Sequence, residues 1–125
     1  MAASFDPTVL ELLREIEEVE IETRAAKDAP WHRVIIWVMV DDADRVFVRS
    51  VRGPAARWFR EVVADPACVL HADELAIPVV AVAANDNEQV EACSRVLRSK
   101  YGRGASVQAM LRQDVLETTL RLEPR

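Results

Sequence analysis

The chain has few residues of the kinds that hold metal ions or form disulfide frameworks: two cysteines and two histidines among 125 residues. Cys68 and Cys93 fall in apolar patterns, without the close pairing of a zinc or redox motif and without the density of a secreted scaffold. Neither His32 nor His71 has a second histidine at metal-ligand spacing, and the sequence contains no nucleophile elbow and no paired carboxylate device. The sequence therefore argues against metal and hydrolytic chemistry, and it predicts reduced, buried thiols.

Long apolar runs are also missing. No run approaches the roughly 18 apolar residues that a membrane span needs, and the N-terminus lacks the basic start and apolar core of a secretory signal. We therefore expect a cytoplasmic protein without a membrane partner. A length of 125 residues, 50% of them hydrophobic and 30% charged, suits one domain that spans residues 1–125.

Charge is unevenly spread along a chain whose net charge is −5. Residues 6–22 hold seven acids and one base, whereas residues 24–60 hold eight bases and four acids. A nucleic-acid backbone would need a broader positive surface than this basic centre provides. The pattern favours a small anionic or phosphorylated ligand and argues against nucleic acid.

Periodic patterns predict the secondary structure. Apolar residues at helical spacing predict helices that begin after Asp6, at Pro54 and after Asn85, and Gly102 suits the end of the third. Alternation predicts strands near residues 19–24, 33–40, 45–51, 67–73, 74–84 and 115–122, with a helical turn near 107–111. Hairpin connections dominate this order. The predicted fold class is therefore α+β, a mostly antiparallel, curled barrel of about six strands with outer helices.

Three details of these elements can be predicted as well. Pro78 cannot donate to a ladder, so its strand should be an edge or carry a bulge. The second helix should bury four residues at helical spacing: Trp58, Phe59, Val62 and Val63. Residues 34–40 are apolar on both faces, so neither face should meet bulk water. Trp37 on this strand can line either a dimer interface or the pocket of a flavin-like ring.

The segment from Arg45 to Pro66 has the features of an anion cradle. An alternating strand meets a turn at Gly53, and Pro54 suits the first turn of the following helix, whose free amides attract anions. Four residues near this helix start are candidate phosphate ligands: Arg49, Ser50, Arg52 and Gly53. In the alternative interpretation the arginines pair with nearby acids, namely Asp41, Asp42, Asp44 or Glu61.

The residues of this region also resemble a known family. The segment PAARWFREVVADP resembles the P-x-x-x-W-[YF]-x-x-[LV]-x-A-[ND]-P stretch of the deazaflavin-dependent nitroreductases, which belong to the flavin-binding split-barrel superfamily. The preceding IIWVMVDDADRVFVRSVRG is similar to an uncharacterised bacterial branch of that superfamily, which has a strand like IWVV and a block like YVRSYRG. The resemblance implies a split barrel, a homodimer and a bound FMN or deazaflavin that carries out hydride chemistry.

The resemblance also implies where a cofactor would bind. The family's G-R-x-S-G loop, which helps to hold the cofactor phosphate, corresponds here to TRAAKDAPWHR, in which Arg24, Lys27 and Arg33 can still contact an anion. The resemblance carries over Arg49, Ser50, Arg52 and Gly53. Together with Lys27 and Arg33 of the loop and with Trp37, whose strand can line a ring pocket, they form the candidate cofactor site. Two hypotheses remain: an FMN- or deazaflavin-binding oxidoreductase-like protein, and a cofactor-free small-anion-binding or structural homodimeric domain. The absence of glycine and serine from this loop favours the second hypothesis.

Overall fold

The architecture is an antiparallel sheet of seven strands with five α-helices around it, as seen in a computed structural model that describes residues 4–125. A single 3₁₀ turn at Gly53–Ala55 precedes the second helix. In chain order the elements are α1 (Pro7–Glu15), β1 (Val19–Thr23), β2 (His32–Ile36), β3 (Met39–Val40), β4 (Val46–Val48), α2 (Arg57–Ala64), β5 (Ala67–Ala72), β6 (Leu75–Ala83), α3 (Asn87–Tyr101), α4 (Ala105–Ala109), α5 (Gln113–Leu116) and β7 (Leu120–Pro124).

The sheet curls because its two ends belong to one continuous piece of chain. The strand order is β2-β1-β5-β6-β7-β4-β3, and every neighbouring pair is antiparallel. β2 and β3 lie at opposite ends of this order, yet only Trp37 and Val38 separate them in sequence. The first and last strands must therefore approach each other, as in a barrel. The predicted α+β fold, a mostly antiparallel split barrel with outer helices, is confirmed.

The predicted strand at 33–40 is divided in two, which explains seven strands where about six were expected. β2 pairs with β1, whereas β3 pairs with β4 on the other side of the barrel. At the break, side chains of α3 serve as partners of the backbone. The Val38 N–H lies 3.3 Å from the Tyr101 hydroxyl, and Lys100 Nζ donates to the Val38 carbonyl at 2.9 Å. These bonds replace the ladder bonds that the chain gives up there.

Two apolar cores lie on opposite faces of the β3–β4 hairpin. Val46 and Val48 face the barrel interior, which α1 and α2 help to close. Met39 and Phe47 face the other way, into a core shared with α3, α4 and α5. The alternation of β4 predicted these two faces, since successive strand side chains point to opposite sides.

Both thiols are buried, as predicted. Cys68 lies in the first core and Cys93 in the second. Burial raises the pKa of each thiol to about 12, because a thiolate would lose its hydration there. Each group is therefore a protonated core residue rather than a nucleophile at neutral pH.

Helix boundaries differ from the predictions in ways that local geometry explains. Pro54 lies in the 3₁₀ turn, and α2 begins only at Arg57. α3 is capped by Asp86, whose Oδ2 accepts the Gln89 N–H at 3.2 Å, one residue later than the predicted cap. The prediction that Val63 is buried is wrong: its side chain is 64% exposed.

The prediction that Pro78 marks an edge or bulge is also wrong, because β6 pairs with β5 on one side and β7 on the other. The ladder between β6 and β7 begins at Val79 of β6, one residue after Pro78. The Pro78 carbonyl accepts the Arg125 N–H at 3.2 Å. In an antiparallel ladder the N and O of one residue point the same way. The Pro78 nitrogen therefore faces Arg125, the residue just after β7, so the proline costs the sheet at most one bond at its margin.

No helix within residues 4–125 has the length and apolar character to cross a membrane.

Candidate functional site

A cleft of about 810 Å³ opens between β2 and the segment that leads into α2. Its walls are residues 32–37 on one side and residues 49–52 and 56–58 on the other, with Glu18 and α4 residues at its margins. This volume lies in the range of small-molecule sites in proteins. The strand, the turn and the helix start that carried the sequence predictions thus meet around one space.

Arg49, which directly follows β4 on the cleft side, is only 1% exposed. Its Nε donates to Thr119 Oγ1 at 2.8 Å, Nη2 to the Val90 carbonyl at 2.8 Å and Nη1 to the Met110 carbonyl at 3.4 Å. All three acceptors are uncharged, and no carboxylate pairs with Arg49 within residues 4–125. Burial lowers the pKa of this guanidinium below its ordinary value. A guanidinium has five N–H donors, so two remain beyond these bonds.

Ser50 and Gly53 form the turn that follows Arg49. The Ser50 hydroxyl donates to the Gly53 carbonyl at 2.7 Å, and the Gly53 N–H donates to the Ser50 carbonyl at 2.9 Å. Gly53 has a φ of +78°, and a Cβ there would lie 3.2 Å from Asp114 Oδ2. The turn thus requires glycine and uses the serine hydroxyl as an internal donor. Both residues shape the cleft wall, although only Ser50 lines it.

Exposed cations lie along the cleft. Arg52 and Arg57 line it, and neither side chain has a hydrogen bond or ion pair with any residue that the structure describes. Arg33 is only loosely paired, with Nη2 3.7 Å from Glu20 Oε1. The N-cap of α2, Ala56, has no side-chain oxygen to accept the first amides of the helix. The helix start therefore adds partial positive charge to the same wall.

The predicted residue Lys27 lies elsewhere. It is exposed in the loop between β1 and β2 and does not line the cleft. Arg24 fixes this loop: its Nη1 donates to the Lys27 carbonyl at 2.7 Å, and its guanidinium lies 4.3 Å from the centre of the Trp31 ring. Five of the seven predicted site residues line the cleft, while Gly53 and Lys27 do not.

Within residues 4–125, neither Arg49 nor Arg52 forms an ion pair with any of the four acids of the alternative interpretation: Asp41, Asp42, Asp44 and Glu61. Asp41 and Asp44 instead pair with Arg45 and Arg14. Arg45 also reaches Glu88 with two bonds of 2.7 Å, so it ties the β3–β4 turn to α3. The acids near the hairpin are thus used away from the cleft.

Trp37 provides an aromatic surface at the end of β2. Its ring stacks on Tyr101, with ring centres 4.0 Å apart and planes 3° from parallel. The Tyr101 hydroxyl donates to the Glu17 carbonyl at 2.6 Å, so the stack is held by the backbone before β1. Beside it Ile35 is 59% exposed, which contradicts the expectation that neither face of this strand meets water. The single chain therefore leaves an apolar strip open along the cleft.

A hydrogen-bonded chain that the sequence did not predict lies at one end of the cleft. His32 lines the cleft, and its Nδ1 lies 3.0 Å from Oε2 of Glu61. Glu61 is 7% exposed, and Thr23 donates to its Oε1 at 2.8 Å. The only sequence signal was an acid on the apolar side of α2, three residues after Trp58. His71 is also paired, with Glu22 at 2.9 Å, but lies outside the cleft.

Within residues 4–125, no group of three or more His, Cys, Asp or Glu side chains is arranged to hold a metal ion. Every buried side-chain nitrogen and oxygen in that part of the chain has a hydrogen-bond partner.

Three solved structures illustrate the fold that this chain shares with other proteins. HutZ, described as the heme storage protein of Vibrio cholerae, is 15% identical with a TM-score of 0.70, over 98% of this chain and 92% of its own. ChuZ of Campylobacter jejuni is 11% identical with a TM-score of 0.73, over 94% of this chain, which spans about half (52%) of ChuZ. An F420-H2 dependent reductase, FDR-A, is 15% identical with a TM-score of 0.63, over 98% of this chain and 99% of its own. At such identities the similarity shows the fold.

No curated protein matches the sequence. The model of a family described as uncharacterised proteins conserved in bacteria (DUF2255) matches residues 9–122. The predicted resemblance to deazaflavin-related split barrels and to an uncharacterised bacterial branch is confirmed. Since the match covers almost the whole sequence, the chain belongs to the DUF2255 family of bacterial proteins.

Proposed function

We propose that the cleft binds a flat, anion-bearing cofactor of the FMN or deazaflavin type and that the protein acts with it as an oxidoreductase. The observation that carries this proposal is Arg49, a guanidinium 1% exposed and without a carboxylate partner in the described residues, in the wall of an open cleft. A buried charge without an opposite charge is costly. A phosphate or carboxylate in the cleft would supply the missing negative charge.

The rest of the cleft suits the two ends of such a molecule. Arg52 and Arg57 are exposed and unpaired among the described residues, so they can fold over an anionic group near Arg49 and the start of α2. Trp37 and Ile35 offer the apolar surface that an isoalloxazine-like ring needs. A cofactor of this type supplies hydride chemistry, while the protein binds it, orients its ring and excludes water.

We also propose that two copies of the chain associate across the open cleft. Ile35 and Val51 line the cleft and are 59% and 46% exposed, although both are large and apolar. A second copy packed on this strip would bury them and would also close the cleft around a ring.

The cofactor-free alternative is favoured by the loop between β1 and β2. It holds neither glycine nor serine at residues 24–31, and Lys27 is not among the residues that line the cleft. In that alternative the arginines bind a small anion such as pyrophosphate, and the apolar strip serves only the dimer.

Calorimetric titration with FMN and, separately, with a deazaflavin coenzyme tests the proposal. Each hydrogen bond to a charged group contributes about 1.5–3 kcal/mol, so Arg52→Ala with Arg57→Ala should weaken binding at least about a hundredfold. The matched control is Arg60→Ala with Arg95→Ala, two exposed arginines outside the cleft, which should bind as the wild type does. Equal affinity of both double variants would contradict the site. Binding of pyrophosphate but of neither cofactor would support the alternative.

A further inference from the structure

We propose that His32 is the proton-transfer residue of the cleft and that Glu61 is its positioning residue. This proposal rests on the proposed cofactor-dependent reduction and adds the group that completes it. Hydride transfer delivers two electrons and one hydrogen nucleus, so reduction of a polarised double bond also needs a proton from elsewhere. Neither the arginines nor Trp37 can supply it at neutral pH.

The geometry determines which ring nitrogen of His32 carries the proton in the neutral form. Nδ1 of His32 lies 3.0 Å from Oε2 of Glu61, whose Oε1 accepts the Thr23 hydroxyl at 2.8 Å. A carboxylate with both oxygens accepting is an acceptor only, so Nδ1 carries a proton. Nε2 is then the nitrogen free to bind or release a second proton, and it has no partner within residues 4–125.

The burial of Glu61 holds the His32 ring more firmly than an exposed carboxylate would. Glu61 is 7% exposed on the inner side of α2, whereas the His32 side chain is 34% exposed at the cleft. β1 carries Thr23 opposite His32 in the strand register, so the strand pair and the helix set the ring position together. The carboxylate is thus inside the protein and the imidazole reaches the ligand space. This is the arrangement by which a buried acid orients a catalytic histidine.

The proposed step balances in atoms and electrons. The balance is written for a substrate with a polarised double bond, for which an alkene conjugated to a carbonyl serves as the example. One alkene carbon accepts a hydride from the reduced cofactor and the other accepts the proton from Nε2, so the π bond breaks as two C–H bonds form. The substrate gains two electrons, the cofactor loses two, and water returns the proton to Nε2.

The test combines single turnover with a direct observation of the ring. Protein loaded with reduced cofactor is mixed with 2-cyclohexen-1-one as the probe acceptor, and cofactor oxidation is followed by absorbance. Loss of a general acid lowers such a rate by about 10²- to 10⁴-fold, so we expect this fall for His32→Gln with unchanged cofactor affinity. His71→Gln removes the other carboxylate-paired histidine and should leave the rate unchanged. Glu61→Gln should lower the rate by about tenfold or more, since it disturbs the ring's proton position.

Nitrogen-15 NMR of the ring supplies a readout that does not depend on turnover. The neutral wild-type His32 should carry its proton on Nδ1, and Glu61→Gln should shift the population toward the Nε2–H form. A wild-type ring with the proton on Nε2 would overturn the proposal even if a variant failed to fold. Equal rates in wild type and His32→Gln, with cofactor bound to both, would overturn this proposal alone. Failure of wild type to bind either cofactor would overturn the proposed function and the reaction built on it.

Discussion

Arg49 combines two roles that are usually separate, a structural one and an electrostatic one. Its donors satisfy two backbone carbonyls and the Thr119 hydroxyl, which come from α3, from the residue after α4 and from the chain before β7. Among the described residues no carboxylate forms an ion pair with it, although the negative charge of Glu91 acts on it from a greater distance. The residue therefore joins three segments of the chain and at the same time adds positive charge to the cleft wall.

The first prediction separates these roles. Arg49→Met should lower the free energy of unfolding by about 1–3 kcal/mol, because buried acceptors lose their donors. Arg52→Met, at an exposed position without such bonds, should change it by no more than about 0.5 kcal/mol. Chemical denaturation of both variants without ligand measures the difference. Equal stability of the two variants would show that the Arg49 bonds contribute nothing to the fold.

The second prediction concerns the buried thiols. Burial raises the pKa of Cys68 and Cys93 from 9.0 to about 12, so above pH 9 the native state keeps protons that the unfolded state releases. Stability should therefore fall from pH 9 toward pH 12, by up to about 1.4 kcal/mol per pH unit for each thiol. The stability of the double variant Cys68→Val, Cys93→Ala should fall less steeply over the same pH range. Parallel curves for the variant and wild type between pH 8 and 10 would contradict the burial of the thiols in solution.

At the scale of elements, the turn before α2 sets the direction of the cleft arginines. Gly53 has a φ of +78°, a conformation that destabilises a residue with a side chain by roughly 1–2 kcal/mol. A Cβ there would also lie in tight contact with the Asp114 carboxylate, 3.2 Å from Oδ2. The third prediction is that Gly53→Ala destabilises the protein by about that amount and weakens anion binding.

A matched control exists in the same chain. Gly104 has an ordinary φ of −70°, and a Cβ there would meet nothing within 4 Å. Gly104→Ala should therefore change the free energy of unfolding by no more than about 0.5 kcal/mol, because the restriction of the unfolded chain by alanine opposes the loss of a favourable N-cap at α4. Thermal unfolding of the two variants side by side measures both effects. A similar loss in both would mean that the turn conformation is not the cause.

Local patterns predicted the elements that depend on local forces. The alternation around Val46 to Val48 and the capping at Asp6 act over a few residues, so the sequence alone shows them. The break at Trp37 and Val38 was missed because its cause is the side chains of Lys100 and Tyr101, more than sixty residues later. α5 was missed because four residues, Gln113–Leu116, are too few for a periodic signal.

At the scale of the whole molecule, the site forms where distant segments meet. Sequence analysis identified the arginine block, but the bond between His32 and Glu61 spans 29 residues and could not be predicted from spacing. The burial of Arg49 likewise depends on α3 and α4, which follow it in the chain. Residue types near a turn thus predicted where an anion could bind, whereas the charge balance of the cleft became visible only in the folded chain.

The fourth prediction follows from the exposed apolar strip. Light scattering should give a mass of about twice 14.1 kDa, and Ile35→Lys should produce monomers because it places a charge in the buried strip. Val63→Lys is the control, since Val63 is 64% exposed on α2 but outside the cleft. A wild-type monomer, or dimers in both variants, would contradict association through this strip.

The central claim is that the cleft binds a flat molecule through its anionic group. The most direct test compares FMN with riboflavin, which has the same ring but no phosphate, by fluorescence titration of the purified protein. If Arg49, Arg52 and Arg57 hold the phosphate, at least two charged hydrogen bonds separate the ligands, and FMN should bind at least about a hundredfold more tightly. The same comparison with a deazaflavin coenzyme and its phosphate-free form covers the other cofactor. Equal affinity of the phosphorylated and phosphate-free forms, or binding of none of the four, would contradict the account.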